Sequence, residues 1–191
     1  AGFLSQVGTI DNKFQTSEAS TEVAWRQLPF YDRVALIRLK DPNWSPSNLT
    51  LYYLTDQGNL YRLNGTSPNI HEVNAQAQIK VTEDNALDYL KFFCFFVRGE
   101  EGPFLIAEST DDPYIPKNLD DLPKNVIANT IHPASYKGQN EQGHFLCDAV
   151  VFYSNALFEA QFSVQPSGMI EMLDDEPIAI DLPARVDAPI A

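Results

Sequence analysis

Three histidines, His71, His132 and His144, are the side chains best suited to move a proton near neutral pH. None stands at a spacing that pairs it locally with another as a metal site. There is no Gly-x-Ser-x-Gly, P-loop, His-Glu-x-x-His or Gly-x-Gly-x-x-Gly segment. His132 has the strongest case for a role. It lies in Asn129-Thr-Ile-His-Pro-Ala-Ser-Tyr136, inside a long proline-bearing segment, and loops held by a rigid scaffold carry function out of proportion to their length. A lone histidine beside a strand is nonetheless more often structural.

The segment Arg98-Gly-Glu-Glu-Gly-Pro103 is the most unusual local sequence. Glu100 and Glu101 could bind a cation or a basic side chain, and one carboxylate beside another can acquire a raised pKa and act as a general acid. The simpler reading is favoured: Gly99 ends a helix, Gly102-Pro103 turns the chain and the acids stay wet. Asp111-Asp112, Asp120-Asp121 and Asp174-Asp175-Glu176 look like calcium-ligand runs. They lack the alternating carboxylates, glycine and distal glutamate of a calcium loop, so turn and solvation roles are favoured. The candidate binding set is Arg98, Glu100, Glu101, Asp111, Asp112 and His132. No catalytic residue, metal-ligand set or cofactor motif is identified. A second set would line an apolar pocket between helix and sheet: Tyr89, Phe92 and Phe96, with Tyr153 and Glu159 as polar groups. A filled core uses the same aromatic residues and is the favoured reading.

These residues need elements to hold them. Residues 81–99 give the clearest helix, with Thr82 as N-cap, Glu83 and Asp84 in the first turn and Gly99 just past the end. Its second half, Phe92–Val97, is apolar on every side and must be enclosed. Strands are expected over 33–39, 49–54 and 59–63, with a short one near Ile70–Val73. After the helix come a short strand at 104–107 and an irregular stretch over 109–143, with a short helix within 119–131. Strands follow at 145–153, 156–164 and 169–173, then a turn at Asp174-Asp175 and a last short strand at 178–180. Phe158, Ala160, Phe162 and Val164 alternate with Glu159, Gln161 and Ser163, the period of a sheet with one wet face.

The fold class is therefore α+β: antiparallel meander sheets packed around one central buried helix, the helix lying on a curved sheet. A helix followed by a meander resembles the cystatin-like and nuclear-transport-factor-like architectures in element order, an analogy carried by no shared motif. Residues 1–27 are read as an N-terminal arm or short helix. Residues 28–182 are read as one α+β domain, with a subdomain split near 80 left open, and residues 183–191 as a loose tail.

Composition narrows the function classes. The 191 residues are 44% hydrophobic and 20% charged, with a net charge of −13. Acids and bases balance over residues 1–80, so all of that negative charge arises in residues 81–191. Such a surface repels phosphate backbones and anionic lipid heads, which argues against nucleic-acid and membrane partners. Cys94 and Cys147 sit in apolar runs and are read as buried free thiols rather than a disulfide. The chain is read as a bacterial-type cytoplasmic protein. The favoured function is a non-enzymatic interaction or accessory domain with an acidic surface, binding a basic protein partner or a second copy of itself. The alternative is a small-molecule-binding or enzymatic domain with a cavity between helix and sheet.

Overall fold

The structure is a computed structural model that describes residues 2–183. It is an α+β protein with two main antiparallel sheets and a small two-stranded one, and its contacts divide the described chain into two compact units, 2–78 and 79–183. The tail expected at 183–191 falls almost wholly outside the described residues.

In the first unit, β1 (Glu22–Gln27), β2 (Ala35–Lys40), β3 (Thr50–Asp56) and β4 (Asn59–Arg62) form a sheet in that order. Gln57 and Gly58, at φ 50° and 86°, close the β3–β4 hairpin as a two-residue turn that needs positive φ at both positions. Helix α1 (Gly2–Ile10) lays Val7 against Ile37, Leu39, Leu51 and Tyr53 on one sheet face. Asp11, just past α1, accepts from Tyr53 Oη and pairs with Arg62, so a polar clamp fixes the helix end. Helix α2 (Pro68–Ala77) packs against β3 and β4. The strand expected near Ile70–Val73 is part of this helix. Both residues are β-branched or strand-like in type, but Ile70, Val73, Asn74 and Ala77 are buried at helical spacing, and Pro68 suits the first turn.

Residues 22–27, expected as the end of an arm, form β1. The buried carboxylate of Asp41 explains how they are held. It accepts Ser20 Oγ and Thr21 Oγ1, each at 2.7 Å, and the Asn43 amide at 2.9 Å. Ser20 and Thr21, within the stretch read as an arm or short helix, thus form with Asp41 the clamp that brings β1 onto β2.

In the second unit, α3 (Ala86–Phe96) is followed by β5 (Arg98–Gly99), β6 (Gly102–Pro103), β7 (Leu105–Ile106), α4 (Asp121–Thr130), β8 (Ser135–Gln139), β9 (Phe145–Tyr153), β10 (Ala156–Val164) and β11 (Ile170–Ala179). The sheet order is β11-β10-β9-β7, and β8 pairs with β9 as well. The short strands β7 and β8 use different stretches of β9, residues 151–152 and 145–148. Strand β8 lies inside the segment expected to be irregular.

Helix α3 begins later than its sequence pattern. Asn85 rather than Thr82 holds the N-cap position, because 82–85 form a turn in which Asn85 Oδ1 accepts the Thr82 amide. The helix also ends without a left-handed residue: Val97 is extended, and Gly99 enters β5. Gly99 is needed for space instead, since a Cβ there would lie 2.5 Å from Tyr153 Oη. No residue from Tyr89 to Val97 is exposed, so the helix end is enclosed as its composition requires.

Strand β11 runs straight through Asp174-Asp175, which therefore do not turn the chain, and it absorbs the expected strand at 178–180 as far as Ala179. It carries one extra residue between the pairs Phe162–Met172 and Gln161–Asp174, and another between Phe158–Pro177 and Leu157–Ala179.

Candidate functional site

Cross-strand register decides which side chains share a face. Asp148 pairs Gln161 and Val150 pairs Glu159 across β9 and β10. Gln161 pairs Asp174, Glu159 pairs Glu176 and Ser163 pairs Glu171 across β10 and β11. Directly paired residues point to the same side, so Asp148, Glu159, Glu171, Asp174 and Glu176 line one face of the sheet. The apolar part of that face, Val150, Phe152 and Leu157, is covered by Ala107, Ile115 and Ile127 of the segment leading into and through α4. The acidic part is left open: Glu171, Asp174 and Glu176 are exposed, and Asp148 and Glu159 half-buried.

Two cations meet this row. Lys137 Nζ lies 3.4 Å from Asp148, which also accepts Gln161 Nε2 at 3.2 Å. His132, carried just beyond α4, lies beside Glu159: its Nε2 is 2.9 and 3.1 Å from the two carboxylate oxygens, and its Nδ1 is 2.9 Å from the Pro133 carbonyl. Both ring nitrogens face acceptors, an arrangement that suits the doubly protonated ring, with both N–H groups donating. The Pro133 carbonyl, then the hydrogen bond and charge of Glu159 and the charge of Asp148, raise the His132 pKa against a desolvation that lowers it. The pair ties segment 131–134 to β10. The Ala134 amide strengthens the same attachment by donating to Glu108, which also pairs with Lys91 of α3 at 2.8 Å.

The remaining candidates lie in other settings. Glu100 and Glu101 are exposed at the tip of the β5–β6 hairpin, where the Glu101 amide donates to Tyr153 Oη at 2.9 Å. Phe104 stacks on Tyr153 at 4.3 Å, and Arg98 is half-buried on β5. Asp112 Oδ1 accepts the Tyr114 amide and the Asp111 carbonyl accepts Lys117 Nζ, so this acidic pair shapes a turn. Tyr89, Phe92 and Phe96 are buried; Tyr89 Oη donates to the Gly168 carbonyl at 2.7 Å and the Phe92 and Phe96 rings sit 5.0 Å apart. Tyr153 and Glu159 lie on opposite faces of the sheet, so the residues expected around one pocket divide between two surroundings.

The chain matches no family model, no curated protein and no solved structure. Among the described residues, no group of three or more His, Cys, Asp or Glu side chains is placed to hold a metal ion, and no helix is long and apolar enough to cross a membrane. The sequence singles out His132 and Glu159 separately, and the fold joins them. It gives no weight to Asp148, Lys137 or Glu171, and it reads Asp174 and Glu176 only as part of a wet acidic run. The alternation across 157–163 marks the wet face, but which acids join it depends on a register set far along the chain.

Proposed function

We propose that the chain is a non-enzymatic interaction domain whose second unit presents an acidic sheet face to a basic, extended segment of a partner protein. The observation that carries this reading is the row Asp148, Glu159, Glu171, Asp174 and Glu176 on three neighbouring strands, open along β11. Carboxylates at strand spacing match alternate lysines or arginines of an extended chain. Like-signed fields of this kind steer association and select partners more than they add raw affinity. A reducing compartment such as the cytoplasm belongs to the same reading. It is supported by Cys94 and Cys147, both free and buried, with burial pushing their thiols up to about 12 and about 11.

The test is fluorescence anisotropy with a labelled Lys/Arg-rich peptide. Binding is expected to weaken by at least about tenfold between low salt and roughly 0.5 M salt. Reversing charge at Glu171, Asp174 and Glu176 is expected to abolish it, whereas reversing Glu100, Glu101, Asp111 and Asp112 leaves most of it. Equal loss from the two sets would mean a diffuse acidic field rather than this face, and the reading would fall.

A further inference from the structure

Strand β1 ends the sheet of the first unit, and its outer edge is paired with no strand of the described chain. Five of its six residues are exposed, and Trp25, at 72%, is the most exposed large aromatic side chain described. Val23 and Trp25 pair Leu39 and Ile37 on β2, so they lie on the face that carries α1. Between them and the helix runs a groove of about 470 Å³, lined by Phe3, Leu4, Val23, Trp25 and Ile37 among others. A tryptophan on a free edge beside an apolar groove is a surface built to be covered.

We infer that β1 pairs with β1 of a second copy of this chain, antiparallel about a two-fold axis through Ala24. The register follows from two constraints. Residues along a strand turn their N–H and C=O outward alternately, so an outward residue must meet an outward residue, and the sum of paired positions must be even. Within β1 the only charged residues are Glu22 and Arg26. Centring on Ala24 sets Glu22 against Arg26 of the second copy and Arg26 against its Glu22. It also sets Val23 against Trp25, and Trp25 against Val23, on the face that holds the groove. Centring on Glu22 or Arg26 opposes like charges, and centring on Val23 or Trp25 leaves both charges without an opposite partner. One register therefore satisfies the charges, the aromatic–β-branched pairs and the backbone edge together. The interface is isologous, as a two-fold pair must be. Glu22 reaches Arg38 of β2 at 3.0 Å, yet its side chain stays 63% exposed, so the carboxylate is open to solvent and can be shared with a second cation.

The contact is confined to two six-residue strands and the groove beside them, so a reversible dimer with a Kd of roughly 10–100 μM is expected. Sedimentation equilibrium of the full chain tests it. The wild-type mass should rise towards twice the chain mass over that range, and Glu22→Arg and Arg26→Glu should each remain monomeric. An equimolar mixture of the two variants should associate again, because one carries two arginines and the other two glutamates at the meeting positions. The double variant Glu22→Arg/Arg26→Glu should also recover dimerisation, which separates a lost contact from a misfolded single variant. A wild type that stays monomeric throughout overturns the inference. So does a dimer that neither single variant weakens, or a mixture and a double variant that both fail to recover association.

Discussion

Strands β1 and β11 both end a sheet, and they treat the exposed edge in opposite ways. Strand β11 is ten residues long, with every residue from Glu171 to Pro177 exposed. It carries four carboxylates, two register-breaking extra residues and a proline that has no N–H to offer. Each of these blunts an edge against pairing with another chain. Strand β1 has no register break and no proline, and its one carboxylate, Glu22, is balanced by Arg26. Its register with β2 runs unbroken from Glu22–Lys40 to Gln27–Ala35, and its charges are one of each sign. Length and exposure alone would make β11 the more dangerous edge, yet chemistry makes it the guarded one. If the proposed dimer forms, association is set by what an edge displays rather than by how much of it is free. The same guard chemistry suits β11 to the proposed function, since carboxylates that repel a copy of the protein would attract a basic partner.

The comparison breaks most visibly if the guard is removed. Replacing Glu171, Asp174, Asp175 and Glu176 by threonine and Pro177 by valine leaves a ten-residue edge with Met172 and Leu173 already 39% and 46% exposed. Such a segment is β-prone and nearly uncharged. Dynamic light scattering should show a shift from a monodisperse protein to large, polydisperse particles. A variant that stays monodisperse would mean that the bulges, and not the charges, protect the edge. The converse change closes the open edge. Trp25→Lys should weaken self-association by at least about tenfold while moving folding stability by no more than about 0.5 kcal/mol, because an exposed side chain is lost from nothing but solvent and the groove rim. Sedimentation and chemical denaturation on one sample separate the two effects. A large stability loss would mean that Trp25 belongs to the fold of the first unit.

The sequence carries these edges unequally. Strands β9 and β10 and the enclosed helix α3 are legible because their apolar patterns are local: 145–153 is one apolar run interrupted only by Asp148, 156–164 alternates within itself, and Phe92–Val97 has no wet side. Strand β1 is illegible because its cover is one-sided and its anchor, Asp41, lies twenty residues downstream of the Ser/Thr cluster it binds. Helix α2 is mistaken for a strand at Ile70–Val73 because two apolar residues fit either period until Asn74 and Ala77 are counted as buried. At Asp174-Asp175 two adjacent acids signal a turn by composition, while the edge of a sheet tolerates them for the same reason a turn does: both are wet. His132 and Glu159 are legible one at a time. Their union depends on where α4 ends against β11 and on the β9–β10 register, which no local pattern encodes.

The smallest expected effect distinguishes the two edges by pH. The first unit has no histidine on β1, whereas the acidic face of the second holds His132 against Glu159, near Asp148 with its partner Lys137, and beside the Glu159–Glu176 strand pair. The folded pKa of His132 is raised, so its contribution to stability is fully present below the unfolded value of about 6.5 and is lost as pH rises through the raised folded value. Denaturation midpoints should therefore fall slightly from pH 6 to above that raised value, and the fall should vanish in His132→Gln and shrink in Glu159→Gln, which leaves the Pro133 carbonyl in place. Over the same range the face sheds a positive charge and Glu159 loses its tie. A basic peptide should consequently bind more tightly at the higher pH, by about two- to threefold if one neighbouring cation is removed from a partly screened row. Self-association through β1 should not respond. If both processes changed together, the two edges would be coupled through the fold. If the peptide affinity stayed flat while the denaturation shift was present, His132 would be a structural tie lying outside the face the partner reads.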